Sequence, residues 1–258
     1  VQCVILCAGF ATRLRPLTLN RPKHLLPVAG RPMLDHLLDS LAASGVRSAA
    51  VVTNHKFAGT FERWASAGSH AIDLQVIDDG TETNETRLGA VGDLRFALEA
   101  AGVRGDFMVL AGDNLFTFPL DGVFETFRRR GNTIALYDVG SNEVASRMGI
   151  ATCDGDGRVV GFVEKPERPP STLVSIGIYL YRAEVRDSVS RFIAEGNSPD
   201  KIGDFVAWLH QRTAVYGHRI PTSAGVWYDI GSFDQLQEAN IAYGGSPIDV
   251  EQLSATSD

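Results

Sequence analysis

Short apolar runs alternate with segments of helical periodicity along the first half of the chain. Residues 2–7 read as a buried strand. Met33 to Ser44 places Leu34, Leu37, Leu38 and Leu41 on one face of a helix. Ser48 to Thr53 is again strand-like and ends at Asn54-His55, and Phe57 to Ala67 reads as a second helix. Asp73 to Ile77 is a strand running into the loop Asp78 to Arg87. Ala90 to Ala101 is helical, with Gly102 as its stop signal, and Asp106 to Ala111 is a strand ending in Gly112-Asp113-Asn114. This alternation implies right-handed crossovers and an α/β fold, a Rossmann-like, mainly parallel sheet flanked by helices. Ligands of such sheets gather at the C-terminal ends of the strands, near a topological switch point. The Ala8–Arg13 loop and Asp113 both fall at such ends.

After Asn132 the pattern changes. Strand-like runs at Thr133–Val139, Gly149–Cys153, Arg158–Glu164 and Leu173–Tyr181 are linked by short turns, and Asp154-Gly155-Asp156-Gly157 is a hairpin signal. A β-rich, acceptor-binding lobe continuous with the sheet is expected here. Helices follow near Glu184–Glu195 and Ile202–Arg212. A last strand, Gly225–Ile230, precedes a helix from about Phe233 to Tyr243. The expected organisation is one catalytic domain over residues 1–243, with halves at about 1–131 and 132–243. A polar tail without periodicity follows at 244–258.

Composition narrows the function classes. Of 258 residues, 44% are apolar and 21% charged, the balance of an ordinary globular chain. The formal net charge of −7 argues against a nucleic-acid partner. No run of 18 or more apolar residues suggests a membrane span. Cys3, Cys7 and Cys153 form no CxxC pair, and their odd number does not suggest a disulfide framework. Nor does a basic stretch precede the first apolar run, so a cytoplasmic location is expected.

The chemistry concentrates near the N-terminus. Ile5-Leu6-Cys7-Ala8-Gly9-Phe10-Ala11-Thr12-Arg13-Leu14 leads, through Arg15-Pro16-Leu17-Thr18, to Arg21-Pro22-Lys23-His24-Leu25-Leu26-Pro27-Val28. An apolar strand ends in a small-residue loop whose backbone N–H groups can approach an anion closely, and Arg13 and Lys23 can neutralise it. Two aspartates, Asp113 in Ala111-Gly112-Asp113-Asn114 and Asp229 in Trp227-Tyr228-Asp229-Ile230-Gly231, are candidate ligands for Mg²⁺. Taken singly, Asp113 reads equally as a turn residue and Asp229 as part of a helix N-terminal cap region. Their joint occurrence with the Arg13 and Lys23 segments favours a metal-assisted phosphate site.

The two-part motif resembles the signature of the sugar-1-phosphate nucleotidylyltransferase family, Leu-Ala-Gly-Gly-x-Gly-Thr-Arg-Leu followed by Pro-Lys-x-Leu-Leu-Pro-Val. The resemblance implies nucleotide binding by Ala8, Gly9, Ala11, Thr12, Arg13, Lys23 and Gly89, with Arg13 and Lys23 catalytic and Mg²⁺ held by Asp113 and Asp229. On the acceptor side it implies Gly149, the Glu164-Lys165 pair of Phe162-Val163-Glu164-Lys165-Pro166, and Ser175. The implied reaction joins an NTP to a sugar-1-phosphate, giving an NDP-sugar and pyrophosphate. Other readings keep the chemistry on a cyclitol phosphate, choline phosphate or phosphonate, or make the chain a non-catalytic nucleotide-sugar sensor.

The chain departs from the pattern in places. Ala11 replaces the usual glycine, so an altered loop shape is expected. Ser175 stands where the family carries asparagine. Thr83 to Ala90 lacks the family's Gln and Pro, which leaves UTP, dTTP, GTP, CTP and ATP open, and Arg87 fits either an acidic partner or phosphate. No hexapeptide repeat follows the last helix, so the acetyltransferase activity of some longer members is not expected. Family members are often dimers or tetramers, and nothing in the sequence marks an interface.

Overall fold

A computed structural model describes residues 1–248; the last part of the polar tail, 249–258, lies outside the described residues. The central strand, β1 (Gln2–Leu6), is followed by a small hairpin, β2 (Pro27–Val28) and β3 (Arg31–Pro32), and by α1 (Met33–Ala43). Three further strands, β4 (Ser48–Thr53), β5 (Asp73–Asp78) and β6 (Phe107–Ala111), alternate with α2 (His55–Ala67) and α3 (Ala90–Ala100). The short β7 (Asn114–Phe116) and α4 (Asp121–Arg130) lead to β8 (Thr133–Asp138) and the single turn α5 (Asn142–Ala145). Then come β9 (Gly149–Cys153), β10 (Val159–Glu164) and β11 (Leu173–Tyr181), followed by α6 (Val185–Ala194), α7 (Ile202–Leu209), β12 (Tyr216–Ile220), β13 (Trp227–Asp229) and α8 (Phe233–Ala242).

Nine strands form one sheet along the path β10-β9-β11-β6-β1-β4-β5, with β8 paired to β11 and β12 to β8. The strands β6, β1, β4 and β5 are parallel neighbours, whereas β11 runs antiparallel to β6. Helices cover both faces, which is why β1 is apolar on both sides. Cys3 and Ile5 face one core, with Leu34, Leu37, Leu41, Phe57, Phe61 and Phe127 of α1, α2 and α4. Val4 faces the other, with Leu94, Phe192, Phe205 and Trp208 of α3, α6 and α7. The fold is therefore mixed α/β about a mainly parallel sheet.

The hairpin β2–β3 and the turn α5 were not expected from the sequence, and neither were α4, β12 and β7. Helix α4 carries Gly122 and the run Arg128-Arg129-Arg130, and it is helical because Val123, Phe124 and Phe127 bury one face. Strand β12 contains a glycine and two polar residues and exists through its pairing with β8. Strand β7 has only three residues, and β13 defines it by pairing from the far end of the chain. Helix α2 begins two residues before the apolar pattern suggests, because Asn54 caps it by accepting the Phe57 N–H at 3.2 Å.

A third apolar cluster positions the site. Leu14, Leu17, Leu26, Val28 and Met33 pack with Leu115 of β7, Ile230 beside β13, and Leu236 and Ala239 of α8. The apolar residues between and beyond Arg13 and Lys23 are thereby fixed to the strands beside Asp113 and Asp229.

Candidate functional site

The loop after β1 is tied down before it can meet a ligand. The Cys7 N–H donates to the Val52 carbonyl at 2.9 Å, and the buried Asn54 amide donates to the Ala8 carbonyl at 2.9 Å. Ala11 sits in the left-handed conformation, φ 45° and ψ 45°, and the Thr18 hydroxyl holds its carbonyl at 2.8 Å. The loop thus keeps the glycine-type turn despite the alanine. A 3₁₀ turn over Thr12–Leu14 presents Arg13, and a second over Lys23–Leu25, entered from Pro22, presents Lys23.

Asp113 follows β6 and Asp229 ends β13. The antiparallel register pairs Asn114 with Asp229, and the Ile230 N–H donates to the Asp113 carbonyl at 3.0 Å. Asn114 is buried and reinforces this junction: its amide donates to the Ile176 carbonyl at 2.7 Å and its Oδ1 accepts from Trp227 Nε1 at 3.0 Å. Lys23 Nζ reaches Asp113 Oδ2 at 2.6 Å. Burial opposes ionisation of Asp113, but the Lys23 charge and hydrogen bond hold its carboxyl below the usual range. Asp229 is pushed up to about 6 by burial and by the Asp113 charge, against the pull of Lys23, Arg13 and Lys165. Two hard oxygen donors side by side, one strained by the other's charge, suit Mg²⁺, which needs one or two carboxylates and fills its other positions with water and phosphate oxygens. Among the described residues no larger cluster of metal-ligating side chains occurs.

Three cavities meet at Asp113. One, of about 380 Å³, is lined by Gly9, Ala11, Thr12, Arg13, Lys23, Asp113, Lys165 and Asp229. A second, of about 290 Å³, lies toward α3 and takes in Ala8, Gly9, Ala11, Lys23 and Gly89. The third, of about 220 Å³, holds Gly149, Glu164, Lys165 and Ser175 together with Asp113 and Asp229. All the residues expected from the sequence therefore border one branched cleft.

At the end of β10, Glu164 and Lys165 reach the same cavity because Lys165 turns left-handed, φ 48°, and leaves the strand. Its N–H donates to the Met148 carbonyl at 3.0 Å. The Glu164 carboxylate lies in a cradle that a Cβ on Gly149 or Gly203 would fill. Burial raises its carboxyl above the ordinary value, against the neighbouring Lys165. Ser175 donates to the Tyr179 hydroxyl at 3.4 Å rather than standing free.

On the α3 side, Gly89 has φ 80°, and a Cβ there would lie 2.6 Å from the Pro199 carbonyl oxygen and Asp200 Cα. Glycine is thus required for the docking of residues 199–200, which accept the Val91 and Ala90 N–H groups at 2.9 and 3.1 Å. Beneath this cavity Asp93 is buried against Asp79, whose Oδ1 accepts both the N–H and the hydroxyl of Thr81 at 2.7 Å. Burial first, and then the Asp79 charge and hydrogen bond, raise the Asp93 carboxyl to about 8. Buried His24 also borders this cavity; its burial drives the imidazole down to about 3 and keeps it neutral.

A family model described as "Nucleotidyl transferase" matches residues 2–245. The chain belongs to the nucleotidyl transferase family. It is 30% identical over 241 residues to the low-salt glycan biosynthesis nucleotidyltransferase Agl11 of Haloferax volcanii, covering 92% of this chain and 64% of that protein. It is 38% identical over 192 residues to the mannose-1-phosphate guanylyltransferase of Mycobacterium tuberculosis, covering 73% of this chain and 51% of that protein. The chain thus spans half to two thirds of the length of these relatives. A crystal structure of UDP-glucose pyrophosphorylase complexed with UDP-glucose shares the fold, with a TM-score of 0.78 at 21% identity, covering 94% of this chain and 98% of that one. Among the described residues, no helix is long and apolar enough to cross a membrane.

Sequence reasoning missed several cleft residues. Tyr179, Trp227, Gly203 and Ile202 line the cavity around Glu164, and His24, Asp93 and Asp200 the α3-side cavity. Asp93 alone carried a signal, being an acid on the apolar face of a helix.

Two outcomes follow from this geometry. Left-handed backbone costs an L-residue roughly 1–2 kcal/mol, and glycine's freedom when unfolded offsets roughly 0.4–1 kcal/mol of that relief. Ala11→Gly is expected to stabilise the chain by about 0.5–1 kcal/mol in denaturant unfolding; a destabilised variant would contradict the left-handed assignment. The second concerns Asp93, which binds its proton up to about pH 8 when folded but only near the ordinary value of 3.8 when unfolded. Between those limits the folded state holds more protons, so this group's contribution to stability falls as the pH rises from 3.8 to about 8. Asp93→Asn replaces that proton with an amide N–H toward Asp79. It is expected to flatten the dependence and raise the Tm at pH 8 by about 2 °C or more. An unchanged slope of Tm against pH would remove Asp93 as its source.

Proposed function

We propose that the chain transfers a nucleotidyl group from an NTP to a sugar-1-phosphate, forming an NDP-sugar and releasing pyrophosphate. The observation that carries this reading is the meeting of Lys23, Asp113 and Asp229 where the α3-side and acceptor-side cavities join. The relatives named above as guanylyltransferase and nucleotidyltransferase support it. Residues 1–243 act as a single catalytic unit in this reading.

In the reaction a phosphate oxygen of the acceptor attacks the nucleotide α-phosphorus in line. The new P–O bond forms as the bond to the β-phosphate breaks, and pyrophosphate carries away the electron pair. A phosphate dianion is already a competent nucleophile, so the protein's task is alignment and charge stabilisation. The Gly9–Thr12 backbone and Arg13 hold the departing phosphates. Lys23 balances charge at the reacting phosphorus and moves from Asp113 to do so. Glu164 accepts acceptor hydroxyls in its glycine cradle, and Lys165 meets the acceptor phosphate. Asp113 and Asp229 would hold Mg²⁺, which supplies further charge neutralisation when bound.

Pyrophosphate release, measured over a panel of NTPs and sugar-1-phosphates, tests this reading. No release with any pair would overturn it, and release only with cyclitol phosphate, choline phosphate or a phosphonate would move the acceptor class. Lys23→Ala is expected to lower kcat by on the order of 10²-fold or more, because its charge acts on the transition state. Near-normal kcat in that variant would remove Lys23 from the chemistry. Asp113→Ala and Asp229→Ala are each expected to abolish Mg²⁺-dependent turnover with the folded state retained. Full activity at ordinary Mg²⁺ in either one would exclude that carboxylate.

A further inference from the structure

Arg87 sits at the seam between two branches of the cleft. It lines both the cavity toward α3 and the one holding Arg13, Lys165 and the two aspartates, as Lys23 and Asp113 also do. A nucleoside triphosphate whose base lies toward α3 must pass its phosphates through this seam. Both cations at the seam are engaged by carboxylates: Lys23 by Asp113 at 2.6 Å, and Arg87 by Asp200. Arg87 Nε and a terminal nitrogen converge on the single oxygen Asp200 Oδ1, each at 3.0 Å. The other terminal nitrogen donates to the Asn84 carbonyl at 2.8 Å.

The two contacts differ in strength. The Arg87 and Asp200 side chains are 42% and 43% exposed, and pairs so open to water hold weakly. Two donors on one oxygen also leave the fork short of its best arrangement, in which parallel N–H groups meet two oxygens of a carboxylate or phosphate. Residues 199 and 200 are also docked through their carbonyls to the Val91 and Ala90 N–H groups, contacts that do not involve the Arg87 side chain.

Resting on the proposed nucleotidyl transfer, we propose that Arg87 is an exchangeable phosphate clamp. Asp200 holds its guanidinium until the triphosphate takes it over on binding. Asp200 is then a competitor for the clamp and not a ligand of the nucleotide. Its displacement takes place next to Ile202 and Gly203, which line the acceptor cavity, so nucleotide binding is felt on the acceptor side.

Inorganic tripolyphosphate, titrated calorimetrically at one fixed low ionic strength, isolates the phosphate contacts from the base. Arg87→Ala is expected to weaken its binding about tenfold or more, the scale of a lost charged hydrogen bond. Asp200→Asn is expected to bind at least as tightly as the unaltered chain, because the competitor is gone. If Arg87→Ala does not fold, Arg87→Lys serves, and loss of the fork should still weaken binding several-fold. A purely structural latch predicts otherwise: Arg87→Ala and Asp200→Asn would weaken binding equally, and that result overturns the proposal. So does an arginine variant that binds within about twofold of the unaltered chain. Failure of the unaltered chain to bind tripolyphosphate at all would instead count against the nucleotidyl-transfer reading itself.

Discussion

The cleft is organised around one electrostatic problem, the placing of two half-buried carboxylates side by side. Burial and then the Asp113 charge raise the proton affinity of Asp229, and burial opposes ionisation of Asp113 as well. Lys23, at 2.6 Å from Asp113, relieves that repulsion. The arrangement is costly for folding alone, since buried charges are tolerated only when paired. In the proposed reaction it becomes useful, because the charges that phosphates and a divalent cation would meet are already oriented.

Apolar packing holds those charges in place. Leu14, Leu17, Leu26 and Val28 anchor the Arg13 and Lys23 turns to Leu115, Ile230 and α8. Asn114 then ties β7 to β11 and β13 through Ile176 and Trp227. A shift in any of these contacts would move a cation or a carboxylate, and at such sites small misplacements are expensive in rate.

The branches of the cleft are linked through backbone as well as through charge. Residues 199–200 cover the start of α3 and run directly into α7, whose Ile202 and Gly203 border the acceptor cavity. Gly203 and Gly149 leave the space in which Glu164 sits. The α3-side cavity and the cavity around Glu164 therefore share a wall that includes Ile202.

Local patterning determined much of this protein. The period of apolar residues set β1, β4, β5, α1 and α3, and the turn chemistry of residues 154–157 set the β9–β10 hairpin. The spacing of the small-residue loop and the Pro22-Lys23 segment pointed to phosphate chemistry before any contact was known. What the sequence could not decide depended on contacts between distant segments. Strand β7 has meaning only beside β13, and that register brings Asp113 to Asp229 across 116 residues of chain. Helix α4 is too charged for its periodicity to stand out, and β12 is strand only because β8 pairs with it. The acidic partner of Arg87 is Asp200, brought to it by the docking of residues 199–200 on Gly89. Sequence periodicity records which face of an element is buried; which elements then meet, and which charges are forced together, is fixed only when the whole sheet closes its cores.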